Sequence, residues 1–300
     1  MKIIITGASG FVGVHLSEYL ISLDYGVKKL SLRGNNSVDN LDKSAQAIIH
    51  LAGKAHDTKN TTEASEYFKI NSDLTSELFD IFLSSTISDF IYFSSVKAVA
   101  DIVDGTLTED IVPNPKSPYG LSKLKAEEYI LSKKLPEGKR VFIIRPCMIY
   151  GPGNKGNLNL LYNLVKKGIP YPLAAFENER SFLSIYNLTY IVEKIISDKT
   201  IPSGVYNVAD DEVLSTNDLV KIIAKASHKK PRLIKVPKKA IEGLAKVGDI
   251  LKLSFNSETL KKLTENYRVS NKKIKEALKI NNMPKNATSG LEKTIKSFIK

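Results

Sequence analysis

Met1-Lys2-Ile3-Ile4-Ile5-Thr6-Gly7-Ala8-Ser9-Gly10-Phe11-Val12-Gly13 opens the chain, and its reading decides the fold class. Lys2 to Thr6 is a short β-branched run, suited to a strand buried in a parallel sheet. Three glycines follow at Gly-x-x-Gly-x-x-Gly spacing rather than Gly-x-Gly-x-x-Gly. Beyond them Val12, Leu16, Tyr19, Leu20 and Leu23 make a helical apolar stripe. Strand, glycine turn and helix, in that order, let a pyrophosphate approach backbone N–H groups at a helix N-terminus.

Working outward, strands are predicted at 2–6, 27–32, 47–51, 89–93 and 140–145, with helices at 11–23, 63–84 and 118–134. The alternation predicts an α/β fold, a Rossmann-type doubly wound parallel sheet. Residues 1–152 form the dinucleotide-binding domain in this reading, with 181–205 returning to it. Residues 153–300 form a smaller C-terminal α/β substrate lobe, with helical stretches at 157–167 and 238–253. The predicted strand Phe90-Ile91-Tyr92-Phe93 ends in Ser94-Ser95, and carboxyl ends of parallel strands are where ligands bind. Downstream, Tyr119 and Lys123 lie four apart and so share a helix face. An ammonium beside a phenol favours phenolate, and a phenol so tuned can exchange a proton near neutral pH.

These motifs, in this order, resemble the extended short-chain dehydrogenase/reductase superfamily, in its nucleotide-sugar epimerase and dehydratase branch. The resemblance spans almost the whole chain. It implies a cofactor site made by Gly7, Gly10, Phe11, Val12 and Gly13, by Leu51, Ala52 and Gly53 after the strand Ile48-Ile49-His50, and by Pro146 in Arg145-Pro146-Cys147-Met148. It implies a catalytic triad of Ser95, Tyr119 and Lys123, with Tyr119 and Lys123 also binding the cofactor, Lys123 at the nicotinamide ribose, and a supporting helix asparagine at Asn71. It places Ser95, Lys97, Tyr119, Asn157, Leu158 and Arg180 against the substrate, the last three at its diphosphate. The implied substrate is a nucleotide-diphosphate sugar, UDP-linked, and the implied assembly is a homodimer through the helices at 63–84 and 118–134.

Departures from the family pattern narrow the chemistry. Relatives that dehydrate across carbons 4, 5 and 6 carry an acidic pair where this chain has Val96 and Lys97. A lysine cannot act as that carboxylate base, so 4-epimerisation or one-way reduction of a 4-keto sugar remains. The run Ser94-Ser95-Val96-Lys97 resembles a subgroup that acts on UDP-N-acetylhexosamines or their 6-deoxy derivatives for surface polysaccharides. NAD-specific members place an acid near the end of the second strand. Here Arg33 follows Ser31-Leu32, which favours NADP over NAD through a 2′-phosphate. Only thirteen residues, Gly34 to Gln46, separate Arg33 from the next strand, so one edge strand and part of the adenosine pocket are expected to be missing. A reduced pocket suits a reductase that exchanges cofactor at each turnover. A different class stays open: a non-catalytic NAD(P)-binding redox-sensing regulator, which in the family loses the tyrosine or lysine that this chain retains.

Composition sets outer limits. At 300 residues and 42% hydrophobic content, the chain can bury a full core. No apolar run reaches a membrane-spanning length. Met1-Lys2 leads straight into the first strand, so a cytoplasmic enzyme without a signal peptide is expected. Cys147 is alone and reads as an apolar filler. His15, His50, His56 and His228 lack metal-ligand spacing, so no metal is expected, while His56 is a candidate substrate contact. The net charge of +12 gathers late, around Lys229-Lys230-Pro231-Arg232 and Lys235-Val236-Pro237-Lys238-Lys239. Without a recognisable nucleic-acid module, nucleic acid is not an expected partner. The basic runs read as solvated surface or as contacts for an anionic membrane. Tyr267 is a candidate border of the sugar pocket.

Overall fold

A computed structural model of the chain describes residues 1–33, 41–54, 63–154, 157–253 and 255–299. From the N-terminus run β1 (Lys2–Thr6), α1 (Phe11–Ile21), β2 (Gly26–Leu30), β3 (Ala47–His50), α2 (Ala64–Phe68), α3 (Leu74–Ser84) and β4 (Asp89–Phe93). Then come β5 (Thr106–Leu107), α4 (Pro118–Ser132), β6 (Arg140–Pro146), β7 (Met148–Tyr150), α5 (Asn157–Lys166), β8 (Arg180–Ser184), α6 (Ile185–Ser197) and β9 (Gly204–Val208). The remainder gives β10 (Val213–Leu214), α7 (Thr216–Ala226), α8 (Lys238–Ile250), α9 (Ser257–Thr264), β11 (Arg268–Val269), α10 (Lys272–Leu278) and α11 (Ala287–Phe298).

Among the described residues the main sheet has six parallel strands in the order β2-β1-β3-β4-β6-β9. Its register explains the apolar runs. Ile4, Ile48, Phe90 and Val141 stand side by side on one face, against Phe79 and Phe82 of α3 and Ala126 and Ile130 of α4. One residue on, Ile5, Ile49, Ile91 and Phe142 line the other face, with Leu16 and Leu20 of α1 and Ile191 and Ile195 of α6. Side chains alternate across a strand, so a strand covered by helices on both sides must be apolar throughout. Each such side chain contributes about 1.5–3 kcal/mol on full burial.

Two elements differ from the sequence reading. The expected helix 63–84 is interrupted: Lys69–Asp73 winds as one wide π turn between α2 and α3, burying Asn71 and Ser72. Apolar periodicity does not register such a turn, because one extra residue is absorbed inside an otherwise regular helix. The expected return of 181–205 to the main sheet also divides. Its helix α6 covers that sheet, but β8 pairs instead with β7 and β10 in a separate three-stranded sheet. A third apolar cluster, with Tyr150, Leu158, Tyr162, Tyr171, Val220, Ile241 and Leu291, makes the core of the C-terminal part. Leu158 is therefore a core residue by its side chain. Residues 34–40, His56 and the side chain of Asn157 lie outside the described residues, and β2 is the sheet edge among the described ones.

Candidate active site

The chain leaves β1 toward β2 on one side, while β3 pairs on the other, so a crevice opens between the carboxyl ends of β1 and β3. Gly7 occupies it in the left-handed region, at φ +66°. A Cβ there would sit 2.6 Å from Ala52 N and 2.8 Å from Leu51 C, so the turn lies directly against the end of β3. At Gly13 a Cβ would sit 2.6 Å from Ala8 Cα, which explains how α1 packs so close to the turn. Gly10 holds the N-cap position of α1 without any side-chain cap, so the first-turn N–H groups remain suited to an anion. The third wall is Gly53, where a Cβ would approach Asn71 Oδ1 to 2.9 Å and Lys123 Nζ to 3.3 Å. This cradle fits a dinucleotide pyrophosphate. Leu51, Ala52 and Gly53 flank it, Pro146 ends β6 on the same edge of the sheet, and Arg33 lies exposed beyond β2.

Ser95 follows β4 on that edge. Its hydroxyl accepts from Lys97 N at 3.2 Å and lies near enough to the Tyr119 phenol to lower its pKa. Ser117 caps α4 by accepting from Gly120 N and donates to Asp101 Oδ1 at 2.6 Å, which fixes the first turn carrying Tyr119. Burial raises the pKa of Tyr119, Ser95 opposes the rise, and Tyr67, edge-on at 6.1 Å, adds to it. Lys123 Nζ donates to Phe93 O at 2.8 Å and stands 4.9 Å from the Tyr92 ring centroid. Burial lowers its pKa to about 8, against an upward pull from Glu127. The expectation that Lys123 makes Tyr119 more acidic is not met: burial holds the phenol above its ordinary value, and Lys123 is not among the groups that shift it.

Behind these groups runs an ordered relay. Thr75 Oγ1 donates to Asn71 O at 2.8 Å, so it must accept from His50 Nε2, 2.9 Å away. His50 Nδ1 then accepts from Thr6 Oγ1 at 2.7 Å, and Thr6 Oγ1 accepts from Ala52 N at 3.1 Å. Asn71 in turn accepts from Lys54 N at 2.7 Å and donates to Lys54 O at 3.1 Å and Ser122 Oγ at 3.0 Å. The relay therefore ties β1, the end of β3, the π turn and α4 into one piece. Burial, with Lys123 second, lowers the His50 pKa from 6.5 to about 3, keeping the ring neutral. The unfolded chain takes up this proton below about pH 6.5, whereas the folded one does not. Stability is whole above that pH and falls as the pH drops toward 3, by at most ~1.4 kcal/mol per pH unit. Urea unfolding at pH 7 and pH 4.5 should show a smaller acid loss for His50→Asn than for the unmodified chain.

On the substrate side, Lys97 Nζ donates to Asp101 O at 2.6 Å and lies 4.3 Å from the Tyr267 ring centroid. Tyr267 donates to Ala100 O at 2.7 Å, and its backbone bridges to Arg180 at the start of β8. Arg180 is half-buried; burial lowers its pKa while Glu265, Tyr171 and Tyr267 oppose that. Lys97 and Arg180 are thus brought to the same tyrosine. Cys147 is a buried part of the main core and its thiol is pushed up by burial.

A family model described as the NAD dependent epimerase/dehydratase family matches residues 3–209, which include every cradle glycine and Ser95, Tyr119 and Lys123. The chain belongs to the NAD dependent epimerase/dehydratase family. It is accordingly an NAD(P)-dependent enzyme of the epimerase and reductase kind. Among curated relatives, a UDP-glucose 4-epimerase of Vibrio cholerae is 32% identical over 262 residues, covering 79% of each chain. A GDP-6-deoxy-D-mannose reductase of Pseudomonas aeruginosa is 25% identical, covering 79% of this chain and 83% of its own. The fold matches that of MoeE5 in complex with UDP-glucose and NAD at a TM-score of 0.77 and 20% identity, over 100% of this chain and 99% of that one.

In this family member, sequence reasoning missed Glu127 and the pairing of Arg145. Arg145 donates through Nε to both Glu127 oxygens, at 3.0 and 3.1 Å, and through Nη2 to one of them. A clue existed, since Tyr119, Lys123 and Glu127 repeat every four residues along one helix face. Among the described residues, no cluster of three His, Cys, Asp or Glu side chains could hold a metal, and no helix is long and apolar enough to cross a membrane.

Proposed function

We propose that this enzyme acts at carbon 4 of a UDP-linked hexosamine or its 6-deoxy derivative, reducing a 4-keto sugar or epimerising the carbon, in the building of surface polysaccharides. The observation that carries the reading is the convergence of Ser95, Tyr119 and Lys123 at the carboxyl edge beside the glycine cradle, where a Cβ on Gly53 would approach Lys123 Nζ to 3.3 Å. Ser95 orients the reacting oxygen and Tyr119 holds the proton that this oxygen gains or loses. Lys123, whose Nζ donates to Phe93 O at 2.8 Å, is the residue that would hold the nicotinamide ribose in this reading. NAD(P) supplies the hydride chemistry when bound.

Val96 is buried and Lys97 is engaged with Asp101 O, so neither of the two positions after Ser95 offers a carboxylate for 4,6-dehydration. The two curated relatives named above, an epimerase and a reductase, bracket the same pair of reactions. Arg33, exposed beyond β2, supports NADP.

The test is product stereochemistry. The protein is incubated with UDP-GlcNAc alone, and separately with the 4-keto-6-deoxy derivative of that sugar and NADPH. Consumption of NADPH with a single 4-hydroxy product is the expected outcome. Conversion of UDP-GlcNAc by protein carrying NAD from its purification would assign epimerisation instead. Turnover of neither would overturn the proposal.

A further inference from the structure

The C-terminal part carries a surface that neither the cofactor cradle nor the sugar site uses. Helix α8 docks on its core through Ile241, Ala245 and Gly248, at i, i+4 and i+7. Leu244, Val247 and Leu251 recur at i, i+3 and i+7 on another face, with Ile250 beside them and Leu253 just beyond. All five face solvent: Leu244 is 60% exposed, Ile250 79% and Leu251 62%. Single exposed apolar side chains are ordinary, but five within residues 244–253 form a contiguous patch.

The surroundings of the patch specify what it meets. Residues 229–252 hold eight basic and two acidic side chains, a net charge of +6 and half of the +12 of the whole chain. Lys239 and Lys246 border the apolar stripe on one side of the helix, and both are exposed. Of the two acids, Asp249 is occupied as an acceptor for Ser257 N at 3.0 Å. A second copy of the chain would bring two such basic segments together in a symmetric contact, which like charge opposes. An anionic lipid surface accepts both features. Leucine and isoleucine enter the acyl boundary, and the lysine stems lie along it with their ammonium groups among the headgroups.

We infer that α8 and the basic segment before it form a peripheral docking surface for an anionic lipid bilayer, holding the enzyme at the membrane face without spanning it. The test is co-sedimentation of the full chain with phosphatidylglycerol/phosphatidylcholine vesicles and with phosphatidylcholine vesicles, at low and high salt. The chain should sediment with the anionic vesicles and be released by salt. The double variant Ile250→Ser, Leu251→Ser should bind about tenfold more weakly, as should Lys238→Glu, Lys239→Glu. These side chains are exposed, so circular dichroism and NADPH binding should match the unmodified chain. No sedimentation, equal binding to neutral vesicles, or undiminished binding by the double variant would each overturn the inference. So would a vesicle-independent dimer that the double variant breaks, which would assign the face to a second copy.

Discussion

Tyr119→Phe should lower turnover by about 10²–10⁴-fold and leave dinucleotide binding unchanged. The substitution removes one oxygen and nothing else. The ring keeps its edge-on contact with Tyr67, and the α4 cap at Ser117 does not involve it. None of the atoms nearest the cradle glycines belongs to Tyr119. In the proposed mechanism, what is lost is the proton that Tyr119 exchanges with the reacting sugar oxygen. Single-turnover kinetics read the first effect and NADPH fluorescence titration the second. Loss of both together would show that Tyr119 builds the site rather than working in it. Full turnover in the variant would remove the proton-transfer role outright.

Glu127→Ala should be the most destabilising single change near the site, at about 3–5 kcal/mol by urea unfolding. Arg145 is 4% exposed and Glu127 1%, and each is the other's principal charged partner. Removing the carboxylate leaves a guanidinium buried between β6 and α4 with its donors unsatisfied. Glu127→Gln keeps an acceptor and should cost less, yet it carries a second consequence. The Glu127 charge pulls the Lys123 pKa upward, toward its value of about 8. Without that charge the pKa falls, so the ammonium is lost at lower pH. If turnover needs the ammonium, its alkaline limb should lie near pH 8 in the unmodified enzyme and move to lower pH in Glu127→Gln. An unmoved limb would separate Lys123 from the ionisation that governs the rate.

The parts of this molecule that are local in sequence were legible in sequence. β1, the glycine turn and α1 follow one another within Lys2–Ile21, and strand and helix periods are short-range patterns. Tyr119 and Lys123 are one helical turn apart, so the spacing alone puts them on a common face. The sign of the Tyr119 shift was not legible, because it depends on how much protein covers the phenol, and cover is supplied by distant segments. The relay from Ala52 to Asn71 was likewise hidden. Thr6 meets His50 across 44 positions, and His50 meets Thr75 across 25. A buried histidine in a strand looks the same in sequence whether it fills space or orders four elements. Arg145 and Glu127 are 18 apart and become partners only when β6 lies beside α4. Arg180 and Lys97 meet at Tyr267 through a backbone bridge between distant segments that no periodicity marks.

The wide turn at Lys69–Asp73 has an evolutionary corollary. Each residue of a regular helix turns the chain by about 100°. A deletion inside that turn would let α2 and α3 merge seamlessly, and the merged helix would be the more regular one. It would also swing the Asn71 amide away from Lys54 and Ser122, and the Asn71 carbonyl away from Thr75. Length variation is ordinarily tolerated in loops and neutral there. In this enzyme a helix interior is expected to be the place where a single-codon gap is selected against, while the surface connections drift freely.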